Sequence, residues 1–153
     1  MRISAKTDYA VRAAAELATA EPGMWMKAEA VAKAQDIPLP FLLNILSELR
    51  EAGMVLSRRG AVGGYQLARP AEQIAVADVI RAVDGPLANI AGVVPEDVEY
   101  RGAATALRET WVALRVRIRS VLEEVRLSDL AAGRLPEKVA ELTRDEDAWR
   151  VRG

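Results

Sequence analysis

Residues 35–66, QDIPLPFLLNILSELREAGMVLSRRGAVGGYQ, decide the fold. Pro38 and Pro40 stand at the front of a helical pattern, where a φ fixed at about −65° and a missing N–H do least harm. Leu42, Ile45, Leu46 and Leu49 then recur at helical spacing and predict the buried stripe of a helix of about three and a half turns. The opposite face carries Phe41, Leu43, Asn44, Ser47, Arg50 and Glu51. Gly53 predicts a left-handed cap, and residues 54–57 are short, apolar and branched enough for a strand. Tyr65, Gln66 and Leu67 offer the return strand.

Between those strands lies Arg58-Arg59-Gly60-Ala61-Val62-Gly63-Gly64, a hairpin tip with two cations and three residues free to adopt positive φ. Helix, short strand, basic glycine-rich tip and return strand together make a winged helix. Such a helix lies in a DNA major groove while the tip reaches phosphates or the adjacent minor groove. Two alternatives stand beside this reading. One is a structural helix followed by an ordinary hairpin. The other is a phosphate-binding loop, which lacks the Gly-Lys-Ser/Thr that should follow its glycines.

Upstream, Ala10, Ala13, Ala14, Leu17 and Ala18 mark an amphipathic first helix with Thr7 as its cap, ending before Glu21-Pro22-Gly23. Met24, Trp25 and Met26 read as a short extended link with a core-packing role. A second helix over residues 27–35 turns Ala28, Val31 and Ala32 inward, and Asp36-Ile37-Pro38 makes the turn of a helix-turn-helix. Downstream, Val76, Val79, Ile80 and Val83 define another helix, stopped by Asp84-Gly85-Pro86. Residues 87–102 lose periodicity and carry Glu96, Asp97 and Glu99, so they predict a loop of up to about sixteen residues.

The last strong signal covers residues 103–126. Leu107, Trp111, Leu114, Ile118, Val121 and Val125 form a heptad seam. A helix of that length, about 35 Å at 1.5 Å per residue, outreaches the small domain before it and asks for a partner, most simply its own copy. The intrachain alternative packs it on its own winged helix. Residues 128–133 suggest a short further helix before a charged tail.

The whole chain of 153 residues is 51% hydrophobic, ample for a core, and has a net charge of −1. Residues 1–70 hold nine Lys/Arg against seven Asp/Glu, and residues 71–153 twelve against fifteen, a modest basic bias towards the front. No uncharged apolar run is long enough for a membrane span, and the first residues lack a signal-peptide core, so a cytoplasmic location is expected. There is no Cys and no His, which removes disulfides, thiolate nucleophiles, Ser-His catalysis and nearly every zinc or iron–sulfur pattern. No enzyme, cofactor or metal is expected.

With MRISAKTDYAVRA at the start, IPLPFLLNILSELREAGMVLSRRGAVGGYQLARP in the middle and IAVADVIRAVDGPL after it, the chain resembles the BadM/Rrf-type winged-helix regulators, the group of IscR, NsrR and CymR. The resemblance implies a mainly α fold with a small β-hairpin wing and a long C-terminal dimerisation helix. It divides the chain into a winged helix-turn-helix DNA-binding domain (residues 1–86), a connecting or effector loop (87–102) and a dimerisation helix with tail (103–153). The implied function is a homodimeric, sequence-specific repressor on a palindromic operator in double-stranded DNA, answering to a small-molecule or protein effector. The alternative is a winged-helix module that binds a partner protein.

By chemistry and by match to that family, Asn44 pairs with an adenine edge and Leu43 touches a thymine methyl. Arg59 enters the minor groove, and Lys6, Arg50 and Arg58 bind phosphates. Pro40, Phe41, Ser47, Gly60, Gly63, Gly64 and Tyr65 complete the implied DNA-binding set. In the iron–sulfur members, three cysteines before the dimer helix hold a cluster. Here that stretch is NIAGVVPEDVEYRGAAT, without a sulfur ligand. Asp8 matches a position that supplies a carboxylate ligand in one member, but one carboxylate cannot hold a cluster. Asp8 therefore reads as a first-turn acid favoured by the helix dipole, and the chain resembles the cluster-free branch.

Overall fold

The structure is a computed structural model that describes residues 2–151. Helix α1, Ala5–Leu17, starts at Ser4, whose Oγ accepts the Thr7 N–H at 3.0 Å. Ser4 rather than Thr7 is thus the cap. Thr7 is buried at 3% exposure, and its hydroxyl donates to the Asp84 carboxylate, distant in sequence. Helix α2, Ala28–Gln35, ends at Asp36, which takes a left-handed φ of 50° and turns the chain into α3, Leu39–Glu51. Leu42, Ile45, Leu46 and Leu49 are buried there as their spacing predicts. They meet Ala10, Ala13, Ala14 and Leu17 of α1 and Val31 of α2 in one core.

Gly53 follows α3 with φ of 72°, and strand β1, Val55–Arg58, runs antiparallel to β2, Gly64–Leu67. Met26 adds a third, one-residue rung: it donates to the Tyr65 carbonyl at 2.9 Å and accepts from the Tyr65 N–H at 2.7 Å. The 24–26 link is therefore only partly a core element. Met26 packs on the core, whereas Met24 is exposed. Helix α4, Val76–Asp84, presents Val79 and Val83 to the same core and stops at Gly85.

Residues 87–102 are shaped by turns rather than left as an open loop. Ile90 and Val93 pair, Pro95–Asp97 and Gly102–Ala104 form 3-10 turns, and Pro95 is buried. Helix α5, Leu107–Leu122, is shorter than expected, 16 residues or about 24 Å at 1.5 Å per residue. Beyond it the chain returns. Arg126 bridges Ala75, and Leu127 of α6, Leu127–Ala131, is fully buried in the core of α1 to α4. The helical core is thus closed by a segment that lies past the expected boundary at residue 86. Helix α7, Glu137–Ala140, sets Val139 against Val76 and Val125.

Helix α5 buries none of its residues. Ile118 and Leu122 rest on Ala75, Ala77 and Leu87, Val121 and Leu122 on Val76, Val125 and Val139, and polar ties add to these. Trp111 Nε1 donates to the Tyr100 hydroxyl at 3.1 Å, and Arg108 donates to the Glu96 carbonyl at 2.6 Å. Arg115 forks onto the Glu96 carboxylate, with Nη1 at 2.7 Å from Oε2. That guanidinium holds the Glu96 carboxyl down to about 2, from an ordinary 4.5.

Two outcomes follow from this packing. Leu46→Ala should cost about 2–5 kcal/mol in urea denaturation, and Leu43→Ala, on the bare face, under about 1 kcal/mol. Because Glu96 titrates lower in the folded chain, its pairing is fully present above pH 4.5 and is lost as pH falls towards about 2. The Trp111 indole NMR signal should shift in that window, and Glu96→Gln should remove the transition.

Candidate nucleic-acid interface

One face of α3 stays bare after the core is made. Phe41 is 63% exposed and Leu43 43%. Pro40, Asn44 and Arg50 are exposed and Ser47 is half-buried. Arg50 donates to the Ser47 hydroxyl at 3.5 Å, and Ser47 donates to Glu51 at 3.3 Å. Among the described residues the Asn44 side chain has no hydrogen-bond partner. A primary amide in that state offers a paired donor and acceptor to whatever lies against the helix.

The wing is held by backbone geometry as much as by conformational freedom. Gly60 and Gly64 have φ of 97° and 150°. Gly63 does not need positive φ, as expected of it; it needs to lack a side chain, since a Cβ there would stand 2.0 Å from the Arg58 carbonyl oxygen. At Gly64 a Cβ would stand 2.3 Å from the Met26 oxygen, inside the rung that docks the wing on the body. Tyr65, next in line, is half-buried and packs on the core. Arg58 sits 5.9 Å from the centre of the Trp25 ring, within cation–π range. Arg59 is exposed, and among the described residues its side chain has no ion pair. No acidic residue lies between Glu51 and Glu72, so the hairpin and its flanks are purely basic.

Two contributors escape a reading of local pattern. Lys27, first seen as the start of α2, extends its ammonium 2.7 Å to the Gly60 carbonyl and pins the wing tip. Trp25 serves as a platform under Arg58. Both act across more than thirty residues, where periodicity carries no signal.

Lys6 is placed differently from the free phosphate ligand expected. Its ammonium donates to the Val83 carbonyl at 2.5 Å and to Glu48 at 3.1 Å, with Asp84 at 3.8 Å. It therefore joins α1, α3 and the last turn of α4. Its charge is spent largely on Glu48, an acid on α3.

Along the expected seam, Leu107, Trp111, Leu114, Ile118 and Val121 are all half-buried. Val125 is a correction: it lies past the end of α5 and is 5% exposed, packed on Val76 and Val139 of its own chain. It is closed to a second chain because α6 turns back onto the core immediately after it.

The Rrf2 family, described as "Iron-dependent Transcriptional regulator", matches residues 3–133. A Mycobacterium tuberculosis (strain H37Rv) protein bearing the name of an HTH-type transcriptional regulator is 52% identical over 145 residues, covering 95% of this chain and 90% of that one. The HTH-type transcriptional regulator CymR of Bacillus subtilis (strain 168) is 34% identical over 132 residues, 86% of this chain and 91% of that one. In three dimensions the structure of CymR, the global cysteine regulator of B. subtilis, superposes with a TM-score of 0.74 at 31% identity, over 87% of this chain and 98% of that one. IscR of T. potens gives 0.68 at 27% identity, over 100% and 94%.

The iron in the family's description does not fit the donors present. The chain has no Cys or His, and among the described residues no three Asp or Glu converge as metal ligands. With its winged helix, bare recognition face and basic hairpin, the chain belongs to the Rrf2 family, as a DNA-binding transcription regulator and not an enzyme.

Proposed function

We propose that this chain is a homodimeric, sequence-specific repressor that reads a palindromic operator in double-stranded DNA, works in the cytoplasm and carries no iron–sulfur cluster. The observation that carries the reading is the division of α3 into a buried stripe and a bare face with Asn44 unpartnered at its middle. An amide there is satisfied by the N6 and N7 edge of adenine, and Leu43 beside it by a thymine methyl. Arg59 suits the minor groove, whose negative potential draws a guanidinium. Arg50 and Arg58 face phosphates, Arg58 being steadied by Trp25. Lys6 acts by neutralising Glu48, which would otherwise repel the backbone.

Dimerisation through α5 is supported by its half-buried apolar row. A symmetric pair of helices covers what one chain leaves open, and it sets two recognition helices about 34 Å apart for successive grooves. Repression is the simplest result of a dimer covering its operator. Residues 87–102, between the reading head and α5, are where a small molecule or partner protein would act. Exposure of Phe41 and Leu43 favours a second reading, in which α3 docks on a partner protein instead of DNA.

Sequencing of genomic fragments retained by the purified protein should yield one shared palindrome; fragments with no common sequence would sink the repressor reading. On that operator, Asn44→Ala should lose about 1–3 kcal/mol of binding while leaving random DNA unaffected. Lys6→Ala should weaken both DNAs alike, and adding Glu48→Gln should recover most of the loss. For the dimer, Leu107→Glu with Leu114→Glu touches none of the apolar clusters within the chain and should give monomers by light scattering. A monomeric unmodified protein would refute the assembly.

A further inference from the structure

Where α4 hands over to residues 87–102, Arg81, Arg115 and Arg119 line one cleft of about 490 Å³ with Pro86, Leu87 and Glu96. Three guanidiniums on one cleft need counter-charge, and the chain supplies it locally. Glu96 takes Arg115, and Glu123 takes both Arg81 and Arg119, the latter at 3.0 Å through Nε. Asp78 adds a contact to Arg81 at 3.4 Å, and Arg108 grips the Glu96 backbone. With Arg69, which also reaches Asp78 at 3.8 Å, the cluster holds five cations against three anions. The supply of donors is also in excess. A guanidinium has five N–H groups, and both terminal nitrogens of Arg119 are without a partner among the described residues. Pro86 and Leu87 give the cleft an apolar wall.

We propose that this cleft binds a small organic dianion, a phosphomonoester or a dicarboxylate, whose oxyanion takes Arg115 and Arg119 and displaces Glu96 while its carbon part lies on Pro86 and Leu87. A fork of parallel N–H donors fits such an oxyanion in two-point geometry, which Glu96 already occupies. The consequence reaches the reading head through contiguous residues. Arg81 opens the last turn of α4, and in that same turn the Val83 carbonyl and the Asp84 carboxylate hold Lys6 and Thr7. Lys6 in turn holds Glu48 of α3. On its other side, Glu96 is the charged tie between the 87–102 segment and α5. Binding in the cleft does not depend on the repressor reading; its effect on DNA does.

Isothermal titration of the full chain with inorganic phosphate, glycerol 3-phosphate and succinate, against chloride at matched ionic strength, tests the site. Saturable binding of one dianion per chain is expected, with the phosphate and succinate arms deciding which oxyanion is meant. Glu96→Gln frees Arg115 and should tighten binding about fivefold or more; Arg119→Gln should weaken it about tenfold. Arg119 is about half exposed, so its loss leaves the fold standing, which circular dichroism checks. No saturable heat from any dianion up to about 10 mM, or unchanged binding in both variants, would overturn the site. Anisotropy of labelled operator DNA separates the two claims: a chain that binds DNA and no dianion refutes the cleft alone, and one that binds dianion and no DNA refutes the repressor alone.

Discussion

Leu42, Leu46 and Leu49 lose all exposure when α3 packs into the core, which stabilises its position by about 1.5–3 kcal/mol for each side chain. The ion pair between Lys6 and Glu48 also braces α3, but its partners are 42% and 39% exposed, and a pair in that state is worth under about 1 kcal/mol. The larger effect decides the position. Apolar burial sets where the recognition helix stands, and the polar contacts around it set the charge of the face it offers. From there the wing follows, because Met54 donates back to the Leu49 carbonyl at 2.9 Å and starts β1 one turn past the buried stripe.

The elements with a period were legible. Four apolar residues on α3 and four on α4 state by their spacing alone which face is inward, and the Gly-Gly pair between two β-like stretches states a tight hairpin. What was not legible depends on contacts distant in sequence. Thr7 reads as a cap because capping is local chemistry; its partner Asp84 lies 77 residues on, and Ser4 takes the cap instead. Gly63 reads as a residue needing φ freedom, yet its constraint is the closeness of another backbone oxygen. Lys6 reads as a free cation for the same reason. A lone lysine shows nothing of the carboxylate and carbonyl that two other helices bring to it.

Periodicity also failed in a second, more general way at α5. A heptad seam says that one face is apolar; it does not say whether that face meets the same chain or another one. Trp111 and Ile118 are partly used by their own chain, through Tyr100 and through Leu87, whereas Leu107 and Leu114 belong to no cluster within it. Val125 continued the spacing into residues that are no longer helix. The apolar row itself runs from Leu107 to Val121, and none of its residues is buried in the single chain.

Residues 87–102 are joined to α5 by the apolar contact of Leu87 with Ile118 and Leu122, by the hydrogen bond from Trp111 to Tyr100, and by charge at Glu96. Glu96 accepts from Arg115 and lends its backbone carbonyl to Arg108, so one residue fastens the segment at two points on the helix. A tie of this kind differs physically from a buried apolar one. It lies at the surface, Glu96 is about half exposed, and its strength falls with added salt, with acid or with any competing anion. The apolar part of the join, Leu87 on Ile118 and Leu122, is far less sensitive to solution chemistry. The charged part of the join is open to solutes, and it lies beside the last turn of α4, whose Val83 carbonyl grips Lys6, so the surface chemistry of this corner reaches α1 and α3 through Lys6.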